Sequence, residues 1–598
     1  MIKKIFPILD KFSLQQNLLK TLNLIFSLSR VWTTLTIVLM FLETSTFFYS
    51  LYCFKLLVNI LTQNHSLISK HLVILHLMKI ILVAFGYIII KSLCSYTSEL
   101  NTIKLSEKID KIIHEKAISL DLEFYENPNY FDTLKRAYEE ANNRPIAILN
   151  NLVEIVRNSL TGLGFLSVII AVNWVLVPII VLMIIPSYFV KIYTNKIVYK
   201  WYLKRTPMER NLGYLRSVIT GDFFAKELRV YHFGGNIINM FTDIKLKINS
   251  EQIKIKRQTL FAETLVGLIS TLAFVSCIGF IALNIIEGKN SVGDIALLLL
   301  SLLQTFSIMQ TISTNISQLF QNNLFISSIF EFLDLKSKIS YPENTISITT
   351  NNNSIITVNN LSFTYPNTNK VVLDNINLNI PSGKIIAIVG LNGSGKSTLI
   401  KLLTRLYNPD SGSINLDNIN ITNFNPEDYR NQISVVFQDF GKYNFTVGEN
   451  IHLGNSDSVY DKVKIKRASE DAGADKYIND LPDKYDTLMG KLFENGHEVS
   501  IGQWQKLAIA RAFYRNSKFI ILDEATSAID SLAENELIIK LQKNIQSHAV
   551  ILISHRLSVI KHADYIYVLS NGKIVQEGTH NQLISIEGSY FTQFKNDL

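Results

Sequence analysis

The stretch GLNGSGKST at 390–398 decides how this chain is read. The run before it, IIAIVG (385–390), is rich in β-branched residues and suits a strand, and the residues from Lys396 onward suit a helix. Gly390, Gly395, Lys396 and Ser397 fit the pattern G-x-x-x-x-G-K-[ST]. In that strand–loop–helix setting, backbone N–H groups, an ammonium and a hydroxyl surround a polyphosphate. Asn392, Gly393, Ser394 and Thr398 complete the loop and the first helical turn, whose N-terminus favours negative charge. Further on, FIILDE (519–524) is an apolar strand ending in two carboxylates. Asp523 can act on a metal and Glu524 on a water. Between the two lies VSIGQ (499–503), opening the helical run GQWQKLAIARAFYR.

The 598 residues allow several domains. Their 48% hydrophobic content is concentrated before about residue 330. The net charge of +8 fits basic cytoplasmic loops of a membrane protein better than a nucleic-acid surface. Cys53, Cys94 and Cys277 each fall in an apolar segment, which argues against a disulfide framework or a zinc site. The basic start MIKKIFPILDKF has too short an apolar run for a cleavable signal peptide.

Residues 1–30 are expected to hold an amphipathic helix on the inner membrane surface, with Leu18, Leu19, Leu22 and Ile25 on one face. A membrane domain over 31–330 should follow, with six helices at about 31–61, 70–98, 147–172, 174–198, 258–287 and 293–325. The third and fourth nearly touch at Asn173–Trp174, which predicts a tight outer turn. The connections at 62–70 and 287–292 are short, whereas 99–146 and 199–257 are long, helical in pattern and rich in Lys and Arg. The positive-inside rule places the long loops and both termini in the cytoplasm. A polar linker over 331–353 leads to an α/β domain over 354–598, where short β-branched strands alternate with helices.

In the sixth span Gln304, Ser307, Thr311, Thr314, Gln318 and Gln321 recur every three or four residues and share one helix face. Such a stripe is costly against lipid, so it should line a water-filled path, or else bond to neighbouring helices. Glu43, Lys79, Glu154 and Glu263 also fall within spans, where an ionisable group either lines a path or pairs with a neighbour.

Taken in order, the motifs of 355–598 resemble the nucleotide-binding domain of ABC transporters. The resemblance implies ATP and Mg²⁺ as ligands and assigns further roles. Tyr365 in LSFTYP resembles the aromatic residue that stacks on adenine, and Gln438 in VVFQDF the glutamine that reaches metal and attacking water. Asp523 resembles the metal-binding aspartate, Glu524 the catalytic base, Asp530 in SAID the loop beside it, and His555 in LISHR the switch histidine. VSIGQ stands where LSGGQ is usual: Ser500, Gly502 and Gln503 are kept, while Ile501 replaces a glycine. It still offers an N–H to phosphate but carries a β-branched side chain, so the departure bears on the rate of turnover.

In this family the signature of one subunit completes the ATP site of another. One such domain with six spans therefore implies a half-transporter, as a homodimer or with a paralogous partner. The long loops resemble those of exporters, with LEFYENPNYFDTLKRA (122–137) and GDFFAKELRVYHF (221–233) similar to their coupling helices. FQDFGKYNFTVGENI (437–451) and GQWQK (502–506) are similar to exporters of lantibiotics and related modified peptides. With no peptidase domain ahead of the spans, the expected partners include a separate leader peptidase or modification enzymes. The expected function is ATP-driven peptide export across a bacterial plasma membrane. The alternatives are lipid or drug export, or an ATP-gated channel or regulator.

Overall fold

The computed structural model describes residues 11–62, 70–141, 144–286, 292–339, 341–342, 345–348, 354–366, 368–544 and 548–595. Most of the basic N-terminus and the short connections at 63–69 and 287–291 lie outside the described residues. The chain divides into two compact units. One comprises Met1–Leu120 with Asn127–Lys336, and the other Asp121–Glu126 with Ser337–Leu598.

The first unit is helical: α1 (Lys11–Thr62), α2 (Lys70–Ser119), α4 (Pro128–Ala141), α5 (Arg144–Asn173), α6 (Leu176–Thr220), α7 (Ala225–Val230), α8 (Gly234–Ile286) and α9 (Val292–Leu333). The short helix α3 (Leu122–Tyr125) belongs to the other unit. Helix α1 packs along α2, α5 along α9, and α6 along α8. Inside α1 the backbone leaves helical geometry at Ser29 (φ −140°, ψ 48°), between the amphipathic segment and the first apolar stretch. There Ser29 donates to Asn101 Oδ1 (2.6 Å) and Asn101 donates to Thr33 (3.3 Å), so one buried amide of α2 bridges both sides of the break. Only Trp174 and Val175 separate α5 from α6.

Three stretches among the described residues, Asn17–Ser50, Val73–Ser119 and Gly234–Phe280, are long and apolar enough to cross a membrane. On α2, Leu82, Phe85, Ile88 and Ile89 turn more than half of their surface outward. That is the pattern of helices whose solvent is hydrocarbon, since backbone groups are satisfied within the helix and apolar side chains may face out.

The second unit holds two sheets. Strands β1 (Ile355–Thr364), β2 (Val371–Pro381), β4 (Ser411–Leu416) and β5 (Ile419–Asn420) form an antiparallel sheet in the order β2-β1-β4-β5. Strands β3 (Ile385–Val389), β6 (Ile433–Val436), β7 (Phe519–Asp523), β8 (Ala549–Ile553), β9 (Tyr565–Ser570) and β10 (Lys573–Gly578) form the larger one, ordered β10-β9-β3-β8-β7-β6. All its pairings are parallel except β10 with β9. Every residue of β3, β7 and β8 is buried, which is why these strands read as continuous apolar runs and do not alternate. The period of two still shows: Ile385, Ala387 and Val389 enter one core, Ile386 and Ile388 the other.

Candidate functional site

Parallel strands bring their C-terminal ends to one rim, and ligands of open α/β sheets bind there. On that rim β3 runs into 390–395, β6 leads to Gln438, β7 ends in Asp523 and Glu524, and β8 leads to His555. Residues spread over about 165 positions therefore meet because of strand order alone.

The phosphate loop is shaped by backbone that only glycine supplies. Gly390 has φ +155°, and a Cβ there would lie 2.1 Å from the carbonyl oxygen of Leu569. Gly395 (φ +110°) caps helix α10 (Lys396–Leu403), and a Cβ there would meet Leu373 at 2.7 Å. The Lys396 ammonium folds back to donate to the carbonyls of Gly390 (2.8 Å) and Leu391 (3.1 Å), which keeps it over the loop. Burial holds its pKa below the usual lysine value, against the pull of Glu524 and Asp523. Ser394 Oγ is buried with no hydrogen-bond partner among the described residues. Thr398 meets the Tyr365 hydroxyl at 3.0 Å.

Glu524 is held on three sides. Gln438 Nε2 donates to Oε2 (2.8 Å), His555 Nε2 lies 2.9 Å from Oε1, and the Glu524 backbone N–H donates to Ile553 O (2.9 Å). Its φ is +48°, a left-handed conformation that a residue with a Cβ adopts at a cost and that recurs at functional sites. Asp523 beside it is pushed up to about 6, first by burial and then by the Glu524 charge, with Lys396 and Ser397 pulling the other way. A buried carboxylate short of positive charge, next to a serine hydroxyl and within a polyphosphate loop, fits a hard divalent cation.

The signature segment starts helix α11 (Ile501–Arg515). Ser500 accepts from Gln503 N (3.3 Å) and the Gln503 side chain accepts from Ser500 N (2.9 Å), a reciprocal capping box. Ile501 is the first helical residue, 61% exposed, and its backbone is not left-handed, so its Cβ meets no strain. Gly502 cannot change: a Cβ would lie 2.5 Å from Ala528 O. Asp530 accepts from Ala533 N (2.9 Å) as a helix cap, and that bond holds its carboxyl below the usual range.

One residue escaped the reading of the sequence. Gln505 is 2% exposed, and its amide donates to Glu524 O (3.1 Å) and Ser527 Oγ (3.4 Å) while accepting from Ala528 N (3.0 Å). It pins the helix that begins at Ile501 to the segment carrying Glu524. The only signal was a second glutamine in GQWQK, and nothing local revealed its partners.

In the helical unit, Gln304, Ser307, Thr311 and Gln318 lie exposed along α9, whereas Thr314 and Gln321 are partly buried. Thr314 accepts from Lys191 Nζ (2.6 Å). Glu43 does not share that exposure. It is 5% exposed and pairs with Arg157 at 3.0 Å, and Arg157 also binds Glu154 at 2.7 Å. The Glu43 carboxylate is thus paired with a neighbouring helix.

Residues 373–527 match the family model described as ABC transporter. The chain is 32% identical over 594 residues to the subtilin transport ATP-binding protein SpaT of Bacillus subtilis, covering 98% of this chain and 94% of that protein. It is 29% identical over 570 residues to the nisin transport ATP-binding protein NisT of Lactococcus lactis subsp. lactis, covering 94% and 93%. It is also 30% identical over 479 residues to the ATP-dependent lipid A-core flippase of Photobacterium profundum, covering 79% of each. A bacterial Atm1-family ABC exporter solved with ATP bound superposes with a TM-score of 0.79 at 21% identity, covering 95% of this chain and 99% of that one. A likeness that runs through both the helical unit and the phosphate-loop unit leaves one conclusion: the chain belongs to the ABC transporter family, with the exporter fold and an ATPase domain coupled to transport.

Proposed function

We propose that this chain is one half of a homodimeric exporter in a bacterial plasma membrane, moving a peptide of the lantibiotic class outward at the expense of ATP. The observation that carries this reading is the near full-length similarity to the subtilin and nisin transport proteins, membrane half included. The exposed polar stripe of α9 supports it, because a peptide backbone needs hydrogen-bonding partners along its path.

In this reading the loop 390–396 and Lys396 hold the β- and γ-phosphates. Ser397, Asp523 and Gln438 would hold Mg²⁺, which when bound offsets phosphate charge. Glu524 accepts a proton from the attacking water, Gln438 orients that water, and His555 donates toward the γ-phosphate. Ser500, Gly502 and Gln503 serve the nucleotide of the second subunit. ATP binding closes the two domains, hydrolysis releases them, and the helices alternate access between the two sides.

Flippase relatives at similar identity favour one second reading, lipid export. ATPase activity in lipid nanodiscs separates the two. Stimulation by a modified cationic peptide supports the first, and stimulation by lipid alone replaces it with the second.

A further inference from the structure

The six residues Asp121–Glu126 lie in sequence between α2 and α4, yet they fold as part of the ATPase unit. Asp121 fastens one end. Its carboxylate accepts from Ser337 Oγ (2.5 Å), Lys338 N (2.5 Å) and Ile339 N (3.2 Å). Leu122 packs on the same apolar core as Tyr365. At the other end the Glu126 carboxylate divides: Oε1 takes the ammonium of Lys401 at 2.6 Å, and Oε2 takes the hydroxyl of Tyr407 at 2.6 Å.

Both partners lead to Tyr365. Lys401 stands on α10, the helix that begins in the phosphate loop, and its ammonium lies 5.3 Å from the Tyr365 ring centroid and 5.9 Å from that of Tyr407. The two rings meet edge-to-face at 5.6 Å, and the Tyr365 hydroxyl reaches Thr398. An ordinary surface ion pair is worth little. This one shares its carboxylate with a phenol that is only 6% exposed, and its cation is wedged between two rings. Burial works against the Lys401 charge, but Glu126 and Tyr365 outweigh it and hold the ammonium above the usual lysine pKa. Burial, and then Glu126, push the Tyr407 hydroxyl up, so it remains a donor.

We infer that Glu126 is the positioning residue of the base platform. By fixing Lys401 against Tyr365 it makes the tip of the first long loop and the seat of the base one mechanical piece. This rests on the reading of Tyr365 as the ring that stacks on adenine. Glu126 acts through its two partners, Lys401 and Tyr407. Its effect is therefore on ligands that carry a base and not on ligands that carry only phosphates.

The test uses the full chain in lipid nanodiscs, with Glu524→Gln to stop turnover, and measures equilibrium binding of Mg-ATP and of Mg-tripolyphosphate. Glu126→Gln keeps an acceptor for Tyr407 but removes the charge that holds Lys401. It is expected to weaken Mg-ATP by about three- to tenfold and to leave tripolyphosphate within about twofold. Lys401→Met should do the same, and the double variant should be no worse than either single one. With Glu524 restored, Glu126→Gln should raise KM for ATP and leave kcat unchanged. Equal weakening of both ligands means a damaged loop and overturns the inference, as does no weakening of either. Tyr365→Ala is the companion variant. If it leaves the ratio of the two affinities unchanged, the platform reading falls and takes the inference with it. If it shifts the ratio while Glu126→Gln does not, the platform stands and the role of Glu126 alone is refuted.

Discussion

Gln438 and Glu524, 86 residues apart in sequence, are joined by a 2.8 Å hydrogen bond from the amide to the carboxylate. With His555 on the other carboxylate oxygen, the group that would take a proton from water is oriented before any water arrives. Glu524→Gln keeps the shape and removes the basicity. Hydrolysis should fall by about a hundred- to ten-thousandfold with ATP binding retained. Gln438→Ala should fall less, by about tenfold to a hundredfold, because water can replace an amide. Steady-state ATPase rates beside nucleotide binding check both, and a Glu524→Gln variant with near-native turnover would remove this residue from the chemistry.

Gln505→Leu should be the more damaging change for the fold. It strips partners from a backbone carbonyl, a hydroxyl and an N–H around a side chain that is 2% exposed. Ser527 and Ala528 are exposed and can turn to water, so the loss is set mainly by the Glu524 carbonyl and comes to about 1–3 kcal/mol in all. The thermal midpoint of the ATPase unit should drop, and kcat should drop with it because Glu524 loses its tether. Gln505→Glu, able to accept but not to donate, should fall between.

The carboxyl of Asp523 sets a pH dependence. Its pKa is raised from 3.8 to about 6, so ionisation costs the folded state, fully above pH about 6 and less as pH falls from there toward 4. Without ligand, this group makes the folded protein more stable at pH 5 than at pH 7. Mg-nucleotide binding runs the opposite way, since the cation needs the ionised form, and should weaken as pH falls through about 6. Asp523→Asn should flatten both profiles. Denaturation midpoints and nucleotide affinities taken across that range supply the comparison.

In the helical unit Arg157 holds Glu43 at 3.0 Å and Glu154 at 2.7 Å. Arg157→Met strands a carboxylate that is 5% exposed, at a cost of about 3–5 kcal/mol. Adding Glu43→Gln should recover most of that loss. Thermal unfolding in detergent gives the answer, and a single variant no less stable than the double would show the pair to be dispensable.

Ile501→Gly restores the residue usual in the signature. The capping box of Ser500 and Gln503 sets the helix start, and Ile501 occupies it without strain. Turnover should therefore change by less than about tenfold, a limit set by the modest energy of one helix-start residue. A larger rise would identify Ile501 as a brake on the ATPase.

Much of this was legible because it is local. A β-branched run into GLNGSGKST can hardly be anything but strand, loop and helix, and the change from long apolar stretches to short strands marks two kinds of structure. The motifs on 390–398, 438, 523–524 and 555 do share one rim, since parallel strands place their ends together. What could not be read depends on distance and dihedral angle. The positive φ of Glu524 leaves no mark on a carboxylate's identity. Lys401 and Glu126 meet across 275 positions, and although Glu126 stands in the segment that resembles a coupling helix, nothing local points to Lys401 as its partner. Glu43 is conspicuous in sequence as a charge among apolar residues, but its partner Arg157 lies on another helix and no local spacing joins the two.

The membership of Asp121–Glu126 in the ATPase unit bears on how such proteins can be recombined. A chimera cut only at the linker, with residues from 337 onward taken from a relative, keeps a loop tip suited to the discarded domain. A graft with two seams, carrying 121–126 along with the C-terminal part, moves the whole unit. Where two exporters differ at 126, 401 or 407, the first kind of hybrid should bind ATP poorly and the second kind normally. Across lineages, exchange of ATPase halves would then leave its trace as paired replacement of a short internal hexapeptide and a distant domain.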